Sequence, residues 1–572
     1  MSTPAAALIG ALTALLLVPG LAAGAQPPPP RSAAADPTRP DTDEPDADEP
    51  DADVGAEDSE LSATPAPAPA AEAELEPVPG PTVELGANAN AGEAGDTDAT
   101  AEHQAKDAPA PAPEPAAPPS DRGLNPHDPN TPPGYSQGFH FGSYGRVVTG
   151  GDATGRPIRN ADIVAFGSRL DESTYAELEV RREDYWEATD SYTRMVMTLA
   201  MANPVFHYTG NFDVTMAIRN LYLESADLGV KGLRIWMGSR MYRGDDIYLL
   251  NFWPLDNLNT VGGGVGYYFK TRTSLKLHAG LNQPHSGWFK QGIDRPLPLN
   301  QLGATEVALL DRQKGIASAK LDHVFAIGDG GGIKATGYGE LHWTGAGQRE
   351  IADQIYEELP ADKGFVTGAQ VSAFTGKRST HLNLIARYAG GLGAYGEFNA
   401  PYQLNLERTS KGARELLFAA SGNYERGPFG VMLGAYYRLF RDASPALDYH
   451  DLNEGIVIAR PQVWLTKKRW LGLALEGSFQ AQQRGVTILD EAGQATPLFA
   501  KVSRIGVIPF VSPGGQGAFT RPHLQLIYLL TARDAAARSL YAPEDVFARR
   551  GVDHFIGITA EWWFGSTSYF RD

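Results

Sequence analysis

The sequence predicts an all-β protein, a transmembrane antiparallel β-barrel preceded by a disordered acidic segment rich in Pro and Ala. Three observations predict this fold. Many short stretches alternate between polar and apolar residues, turns containing Gly, Asp or Asn separate them, and a single apolar run near the amino terminus has the length of a transmembrane helix. In a membrane barrel, alternating strands turn their apolar side chains towards lipid and their polar side chains towards the lumen.

The chain begins with a predicted secretory signal peptide, residues 1–25. Residues 5–25 form an apolar run that ends in Ala-Gly-Ala, a pattern of small residues typical of signal-peptide cleavage. No Lys or Arg precedes the run, so the amino terminus alone carries the positive charge of this region. A run of about 21 residues could also span a bilayer uncut, but Pro19 and the small-residue end favour cleavage near Gln26.

Residues 26–134 form a predicted disordered extension. They contain 24 acidic and 4 basic residues, a net charge of −20, together with 24 of the chain's 42 prolines and no Phe, Trp or Tyr. Such a segment has little apolar surface to bury and repels itself, so we expect it to remain extended and disordered.

Residues 135–572 form the predicted folded unit, because they carry all 55 aromatic residues of the chain. The whole chain has a net charge of −19, but residues 135–572 hold 45 basic and 44 acidic residues and are close to neutral. A neutral unit offers no basic surface to a nucleic acid, so no nucleic-acid partner is expected. The lack of cysteine is consistent with an exported protein.

Alternation within the folded unit indicates strands with one polar and one apolar face. Residues 174–182, 519–530 and 554–564 each show this pattern; in the first of them Glu177 opposes Leu178. A soluble β-sandwich also alternates. Export, neutrality and the high aromatic content favour the membrane barrel over the sandwich.

One stretch, residues 233–260, departs from the strand pattern in its second half. Residues 233–240 alternate as a strand does, whereas residues 243–253 follow neither a two-residue nor a helical period. Charged, amide and aromatic side chains are crowded into this second part. Such groups in a loop provide a surface for a polar ligand such as a sugar.

The same stretch resembles the inward-folded constriction loop of the maltoporin family, the carbohydrate-selective outer-membrane porins. Residues 236–242 read WMGSRMY and residues 246–252 read DIYLLNF. Further islands of resemblance follow the family order along the chain. These islands are residues 141–146 (FGSYGR), 168–170 (SRL), 174–178 (TYAEL), 217–224 (AIRNLYLE), 519–522 (FTRP) and 557–564 (GITAEWWF).

The resemblance implies an eighteen-stranded barrel, assembled as a homotrimer in the outer membrane, that passes sugars along a lane of aromatic side chains. In such a channel a sugar ring lies flat on aromatic rings while charged groups exchange hydrogen bonds with its hydroxyls. The aromatic residues that the resemblance assigns to this lane are Tyr144, Tyr175, Phe519 and Trp563. The polar residues assigned beside it are Arg146, Arg169, Glu177, Arg219 and Asp246.

Within the constriction loop, this chain departs from the family pattern at three positions. Gly244 stands where the family has an arginine, and the adjacent Arg243 is expected to replace it. Asn251 stands in place of an aspartate, and Trp253 in place of the constriction tyrosine. These differences bear on which sugar is preferred more than on sugar transport itself.

Two other family aromatics have no single match. The mid-barrel phenylalanine falls at His381 or Leu382, and the aromatic lent by a neighbouring subunit has candidates in Phe206 and Tyr208.

After residue 564 the chain continues GSTSYFRD, where the family ends; Phe570 is a candidate second assembly signal. The resemblance also puts the start of the barrel, and hence residues 26–134, in the periplasm. There we expect the extension to act as a spacer towards a periplasmic binding protein or the cell wall.

Two other classes of function remain open. A general or anion-selective (phosphate-type) porin is the nearer alternative, and an outer-membrane barrel enzyme the more distant one. Residues 134–138 fit the G-x-S-x-G pattern of hydrolases, but that pattern requires a preceding strand and a following helix. Neither H-E-x-x-H nor a P-loop occurs in the sequence. We therefore predict a channel with no catalytic residues, no cofactor and no metal.

Overall fold

The strands of the structure lie between residues 138 and 564. The computed structural model describes residues 135–152, 154, 162–202, 215–297, 301–328, 330–375, 380–445, 450–489 and 495–566. The predicted signal peptide and extension, Phe206, Tyr208, Phe570 and the first residue of the G-x-S-x-G pattern lie outside these residues. Within the described ranges, no helix has the length and apolar character required to cross a bilayer.

The described residues form twenty-two strands. The first eleven are β1 (Gly138–Gly151), β2 (Tyr175–Trp186), β3 (Ser191–Ala202), β4 (Thr215–Ala226), β5 (Leu233–Arg243), β6 (Asn257–Phe269), β7 (Thr273–Asn282), β8 (Lys290–Pro296), β9 (Ala304–Asp311), β10 (Lys314–Ile327) and β11 (Gly331–Thr344). The others are β12 (Gly347–Ala352), β13 (Ile355–Leu359), β14 (Asp362–Phe374), β15 (His381–Gly391), β16 (Arg414–Arg426), β17 (Phe429–Arg441), β18 (Leu452–Trp464), β19 (Leu471–Leu489), β20 (Ala495–Val511), β21 (His523–Arg533) and β22 (Val552–Phe564).

Eighteen of these strands form one closed antiparallel barrel, as predicted. Neighbouring barrel strands pair in chain order, with β7 pairing with β10 and β11 with β14. The barrel closes because β1 pairs with both β2 and β22. Closure leaves no strand edge unpaired, which a sheet in lipid requires.

Four strands and the short helices lie outside the barrel wall. Strands β8 and β9 form one hairpin, and β12 and β13 form another. Two one-turn helices, α1 (Ala535–Arg538) and α2 (Val546–Arg549), lie between β21 and β22. Each begins after an aspartate whose side chain accepts a hydrogen bond from a backbone N–H of the helix.

Side chains alternate across the barrel wall in the way the sequence predicts. In β4, Leu221 and Leu223 are 48% and 54% exposed on the outer face, whereas Asn220 and Glu224 are 3% and 2% exposed on the inner face. The prediction of a strand over residues 519–530 is wrong at its start, because β21 begins only at His523.

The two rims of the barrel differ in the length of their connections. One rim has turns of two to six residues, except for residues 512–522 between β20 and β21. The other rim has the long loops, including both outer hairpins. In outer-membrane barrels the short turns face the periplasm and the long loops face outwards. We call these the short-turn rim and the long-loop rim.

The loop between β5 and β6 folds into the lumen, as predicted, and packs against the opposite wall. Ile247 and Leu249 are at most 1% exposed and belong to an apolar cluster with Met432 and Tyr436 of β17. A Cβ atom on Gly434 would lie 2.6 Å from Ile247 Cγ2, so this position has room only for glycine. Burial of each such aliphatic side chain contributes about 1.5–3 kcal/mol.

Ion pairs hold both ends of this constriction loop. Lys320 Nζ lies 2.8 Å from Asp256 Oδ2 at the end of the loop. Lys334 pairs with Asp245 at its start. The lysines extend from β10 and β11, so the loop is held at its base as well as at its apolar tip.

The loop between β1 and β2 also folds inwards and packs beside the constriction loop. Its Phe166 ring stacks on the Phe252 ring with centroids 3.8 Å apart and an angle of 13°. Its backbone donates to inner-face side chains of the wall: Ile163 N lies 3.0 Å from Gln480 Oε1. Two inward loops therefore pack against each other and against the wall inside the lumen.

Replacing Ile247 with Ala is expected to loosen the constriction loop without unfolding the barrel. Loss of a fully buried isoleucine costs about 2 kcal/mol or more, which corresponds to about 30-fold faster local opening. Hydrogen exchange at the Ile247 and Leu250 amides, which bond within the loop, measures this opening. Ile351→Ala, at a side chain 59% exposed on β12, is the control. Unchanged exchange in Ile247→Ala would contradict the docked loop.

Candidate functional site

An unbroken row of aromatic rings lines the inner side of the barrel. We call it the aromatic lane; it consists of Tyr175, Tyr144, Trp563, Tyr248, Phe519 and His381. Successive ring centroids in that order lie 5.9, 6.5, 6.1, 5.7 and 6.3 Å apart. The four aromatics predicted for the lane all belong to this row. Tyr175, Tyr144 and Trp563 are direct neighbours, and Tyr248 connects Trp563 to Phe519.

Strand register explains why the first three members meet. Tyr144 is the direct cross-strand neighbour of Trp563 on β22 and of Glu177 on β2. Tyr175 lies two positions from Glu177 and shares its face. Close cross-strand neighbours on one face of a sheet contact each other, so three strands place three rings side by side.

The lane extends from one rim of the barrel towards the other. Tyr175 is the first residue of β2 and follows a long loop, whereas His381 is the first residue of β15 and follows a short turn. Phe519 lies in the long connection between β20 and β21, residues 512–522, at the short-turn rim. A solute that follows the rings therefore moves along the axis of the barrel.

Two members of the lane were not among the predicted binding residues. Tyr248 is supplied by the constriction loop and bridges Trp563 and Phe519. Of the two alternatives for the mid-barrel aromatic, His381 is the one beside Phe519. Only His381 can belong to the lane, because it is buried on the inner face of β15 and Leu382 is on the opposite face.

A charged cluster centred on Glu561 flanks the middle of the lane. Its carboxylate accepts a 2.7 Å hydrogen bond from Tyr248 OH and a 2.8 Å hydrogen bond from Arg521 Nε. Arg169 Nη2 lies 3.3 Å from the same carboxylate and donates a 2.7 Å hydrogen bond to Tyr144 OH. The Arg521 guanidinium carbon lies 4.0 Å from the centre of the Trp563 ring.

Neither Glu561 nor Arg521 was predicted as a binding residue, although each had a signal in the sequence. Glu561 alternates with Trp563 on the polar face of β22, and Arg521 belongs to the FTRP island. Their shared role follows from the fold, because Arg521 reaches Glu561 from a different strand connection.

Glu172 connects the predicted arginines to the constriction loop. Its carboxylate pairs with Arg146 and Arg169 and accepts a 2.8 Å hydrogen bond from Asn251 Nδ2. Burial alone would raise the pKa of the Glu172 carboxyl, but the guanidiniums of Arg169 and Arg146 more than offset it and hold the pKa below its usual value. Glu172 therefore remains an anion at neutral pH, and no sequence signal singled it out.

A second polar cluster lies at the start of the lane. Arg219 of β4 pairs with Glu177 and donates to the hydroxyl of Tyr175. Tyr175 OH in turn donates a 2.6 Å hydrogen bond to Glu177 Oε1. The three residues predicted here are thus one bonded group.

Arg243 and Trp253 face each other across the base of the constriction loop. The Arg243 guanidinium carbon lies 4.1 Å from the centre of the Trp253 ring. A Cβ atom on Gly244 would lie 2.1 Å from Asp256 Oδ1, so a side chain at 244 would collide with the carboxylate that Lys320 holds. Position 244 therefore has little room for a side chain, and the guanidinium in this part of the loop is that of Arg243.

Asp246 lies at the other end of the site. It lines a cleft with Tyr248, His381 and Phe519, so it is separated from Arg219 by most of the lane. The structure therefore brings the predicted residues into one continuous site with two ends. Among the described residues, no group of three or more His, Asp or Glu side chains could hold a metal ion.

The closed eighteen-stranded barrel, its apolar outer face and its lumen narrowed by an inward loop define an outer-membrane channel of the porin class. Residues 139–564 match the family model for LamB porins, so the chain belongs to the LamB porin family. This confirms the resemblance to maltoporins and identifies a channel rather than an enzyme. A comparison with curated proteins finds no match.

Several solved structures are similar to this chain. DcaP, an outer membrane channel of Acinetobacter baumannii, has a TM-score of 0.38 and 11% identity over 75% of this chain and 98% of that chain. OprD, an outer membrane protein of Pseudomonas aeruginosa, has a TM-score of 0.36 and 9% identity over 78% and 98%. The trimer form of OmpT from Vibrio cholerae has a TM-score of 0.33 and 11% identity over 75% and 100%.

Proposed function

We propose that this porin binds sugars of the oligosaccharide type and lets them diffuse across the outer membrane along the aromatic lane. The observation that carries the proposal is the spacing of the six rings, 5.7–6.5 Å between successive centroids. At this spacing an apolar sugar face leaving one ring already reaches the next.

The charged clusters beside the lane provide hydrogen-bond partners for the hydroxyls of a sugar. A sugar that enters a narrow channel loses water from its hydroxyls, and a buried polar group without a partner is costly. Arg169, Arg521 and Glu561 lie beside the rings in the middle of the lane and can donate to or accept from those hydroxyls. Hydrogen bonds to charged groups are stronger than those between neutral groups, so they replace the lost water effectively.

Transport also requires that no single position holds the sugar too tightly. Rings contribute modest contacts of similar strength at each step, so a sugar exchanges one ring for the next without a deep energy minimum. The twelve predicted residues fit this scheme as binding residues, together with Tyr248, Glu172, Glu561, Arg521 and His381.

An anion-selective porin is the second candidate function. The observation that favours it is the number of arginines along the site: Arg146, Arg169, Arg219, Arg243 and Arg521 all lie beside the lane. A channel of this kind would conduct phosphate without needing a row of rings.

Replacing Tyr175 or Trp563 with Ala is expected to weaken the block of ion current by maltodextrins about threefold to tenfold, because each ring contributes about 0.5–1.5 kcal/mol of contact. Open-channel conductance should change little. The measurement is a planar-bilayer titration with maltose, maltodextrins, sucrose and phosphate.

Trp343→Ala is the matched control for this titration, since Trp343 is 45% exposed on the outer face of β11. It should leave the block unchanged. If phosphate blocks the current and no oligosaccharide does, this result would contradict the sugar proposal and favour the anion porin.

We further propose that the mature chain starts near Gln26, that residues 26–134 extend into the periplasm as a spacer, and that three chains form the functional unit. The composition of the extension supports the spacer, since its net charge of −20 and its 24 prolines favour an extended chain. Membership of the LamB porin family supports the trimer.

Deleting residues 26–130 is expected to leave the assembly and its conductance nearly unchanged, because β1 starts only at Gly138. Native mass spectrometry in detergent should give a trimer for both the full-length and the shortened protein. Failure of the shortened chain to fold would contradict the spacer role of residues 26–134. A monomeric mass for the full-length protein would contradict the trimer.

A further inference from the structure

Arg243 differs from the other arginines beside the lane in having no acidic partner. Within the part of the chain that the structure describes, its guanidinium makes no ion pair and no hydrogen bond, and its close contact is the Trp253 ring at 4.1 Å. Its Nε atom is buried without a hydrogen-bond partner. A charge in this position, at the narrowed part of a channel, is energetically costly unless a ligand pairs with it.

The carboxylates that interact electrostatically with Arg243, those of Glu177 and Glu397, are bound to other residues. Glu177 pairs with Arg219. Glu397 accepts hydrogen bonds from the backbone N–H of Asn259, at 2.5 Å, and from its side-chain amide, at 3.0 Å. Arg219, which donates a hydrogen bond to Tyr175, adds a second positive charge near Arg243.

The pairing of the charges along the lane also favours an anion. Four guanidiniums beside the lane, those of Arg146, Arg169, Arg219 and Arg521, pair with Glu172, Glu177 or Glu561. Among the described residues, the guanidinium of Arg243 forms no such ion pair and rests on the Trp253 ring.

We propose that the solute of this channel is an anionic saccharide, a sugar acid whose carboxylate pairs with Arg243 at the constriction. This inference rests on the proposed sugar function and names its substrate class. Contact with Trp253 holds the guanidinium over the ring and leaves its N–H groups for a ligand. A guanidinium binds a carboxylate through two parallel N–H···O bonds, which a neutral sugar does not offer.

The aromatic lane distinguishes a sugar acid from a small inorganic anion. Phosphate carries the charge that Arg243 attracts but has no ring to lie on Tyr175, Tyr144 or Trp563. A uronic-acid oligomer carries both, so each sugar unit can stack while its carboxylate pairs with an arginine. The two solutes are therefore separate arms of one experiment.

The test is a planar-bilayer titration of the full-length channel with a maltooligosaccharide, an oligogalacturonate of equal length and inorganic phosphate. The oligogalacturonate is expected to block at about tenfold lower concentration than the neutral sugar, and Arg243→Gln should remove this advantage. Arg243→Lys keeps the charge but not the paired donors and should retain part of it. Block by the neutral sugar should weaken less in Arg243→Gln than block by the oligogalacturonate does, because a neutral sugar loses one hydrogen-bond donor there and no charge pair.

Arg182→Gln is the matched control for the loss of one positive charge, since Arg182 pairs with Asp184 and is 41% exposed. It should leave the advantage intact. Equal block by both sugars, or an advantage that survives in Arg243→Gln, would overturn the inference and leave the sugar channel standing. Block by phosphate alone would overturn the proposed function as well.

Discussion

The packing of the constriction loop across the lumen is the interaction on which the site depends. An eighteen-stranded barrel encloses more space than a sugar fills, so something must bring polar and aromatic groups together across it. Ile247 and Leu249 do this by burying against β17, where Gly434 leaves the room. Once this tip is fixed, Tyr248 lies opposite Trp563 and Phe519, and the lane is continuous. The loop therefore shapes the passage through hydrophobic burial directly beside the ring that it contributes, Tyr248.

Arginines beside the lane contact both an aromatic ring and a carboxylate. Arg521 and Arg169 lie over the rings of Trp563 and Tyr248, and both pair with Glu561. An arginine held in this way stays next to the passage, yet its charge is largely balanced, so it does not trap a passing solute. Arg243 is the exception among the arginines beside the lane, because a ring and no carboxylate holds it. The constriction loop thus carries a guanidinium that rests on an aromatic ring instead of a carboxylate.

Much of the fold followed from the sequence because period-two alternation is a local signal. Tyr175 with Glu177, and Glu561 with Trp563, could be assigned to the lumen from spacing alone, and the family resemblance supplied the number of strands. The strand predicted over residues 519–530 was wrong at its start because residues 519–522 alternate in type without pairing to a neighbour. Tyr248 and Glu172 were missed for a different reason: their roles depend on two loops folding inwards, and tertiary packing of loops leaves no period in the sequence.

The most direct test of this account uses the absence of cysteine from the chain. Introducing Ile247→Cys together with Gly434→Cys removes the Cγ2 atom that a Cβ at position 434 would meet, and the two new side chains face each other between loop and wall. We predict that oxidation links them readily and that the linked channel keeps the conductance and the sugar block of the reduced one, because the loop is already docked there. A link that does not form, or one that changes the current when it forms, would show that the loop does not rest against β17 in the working channel.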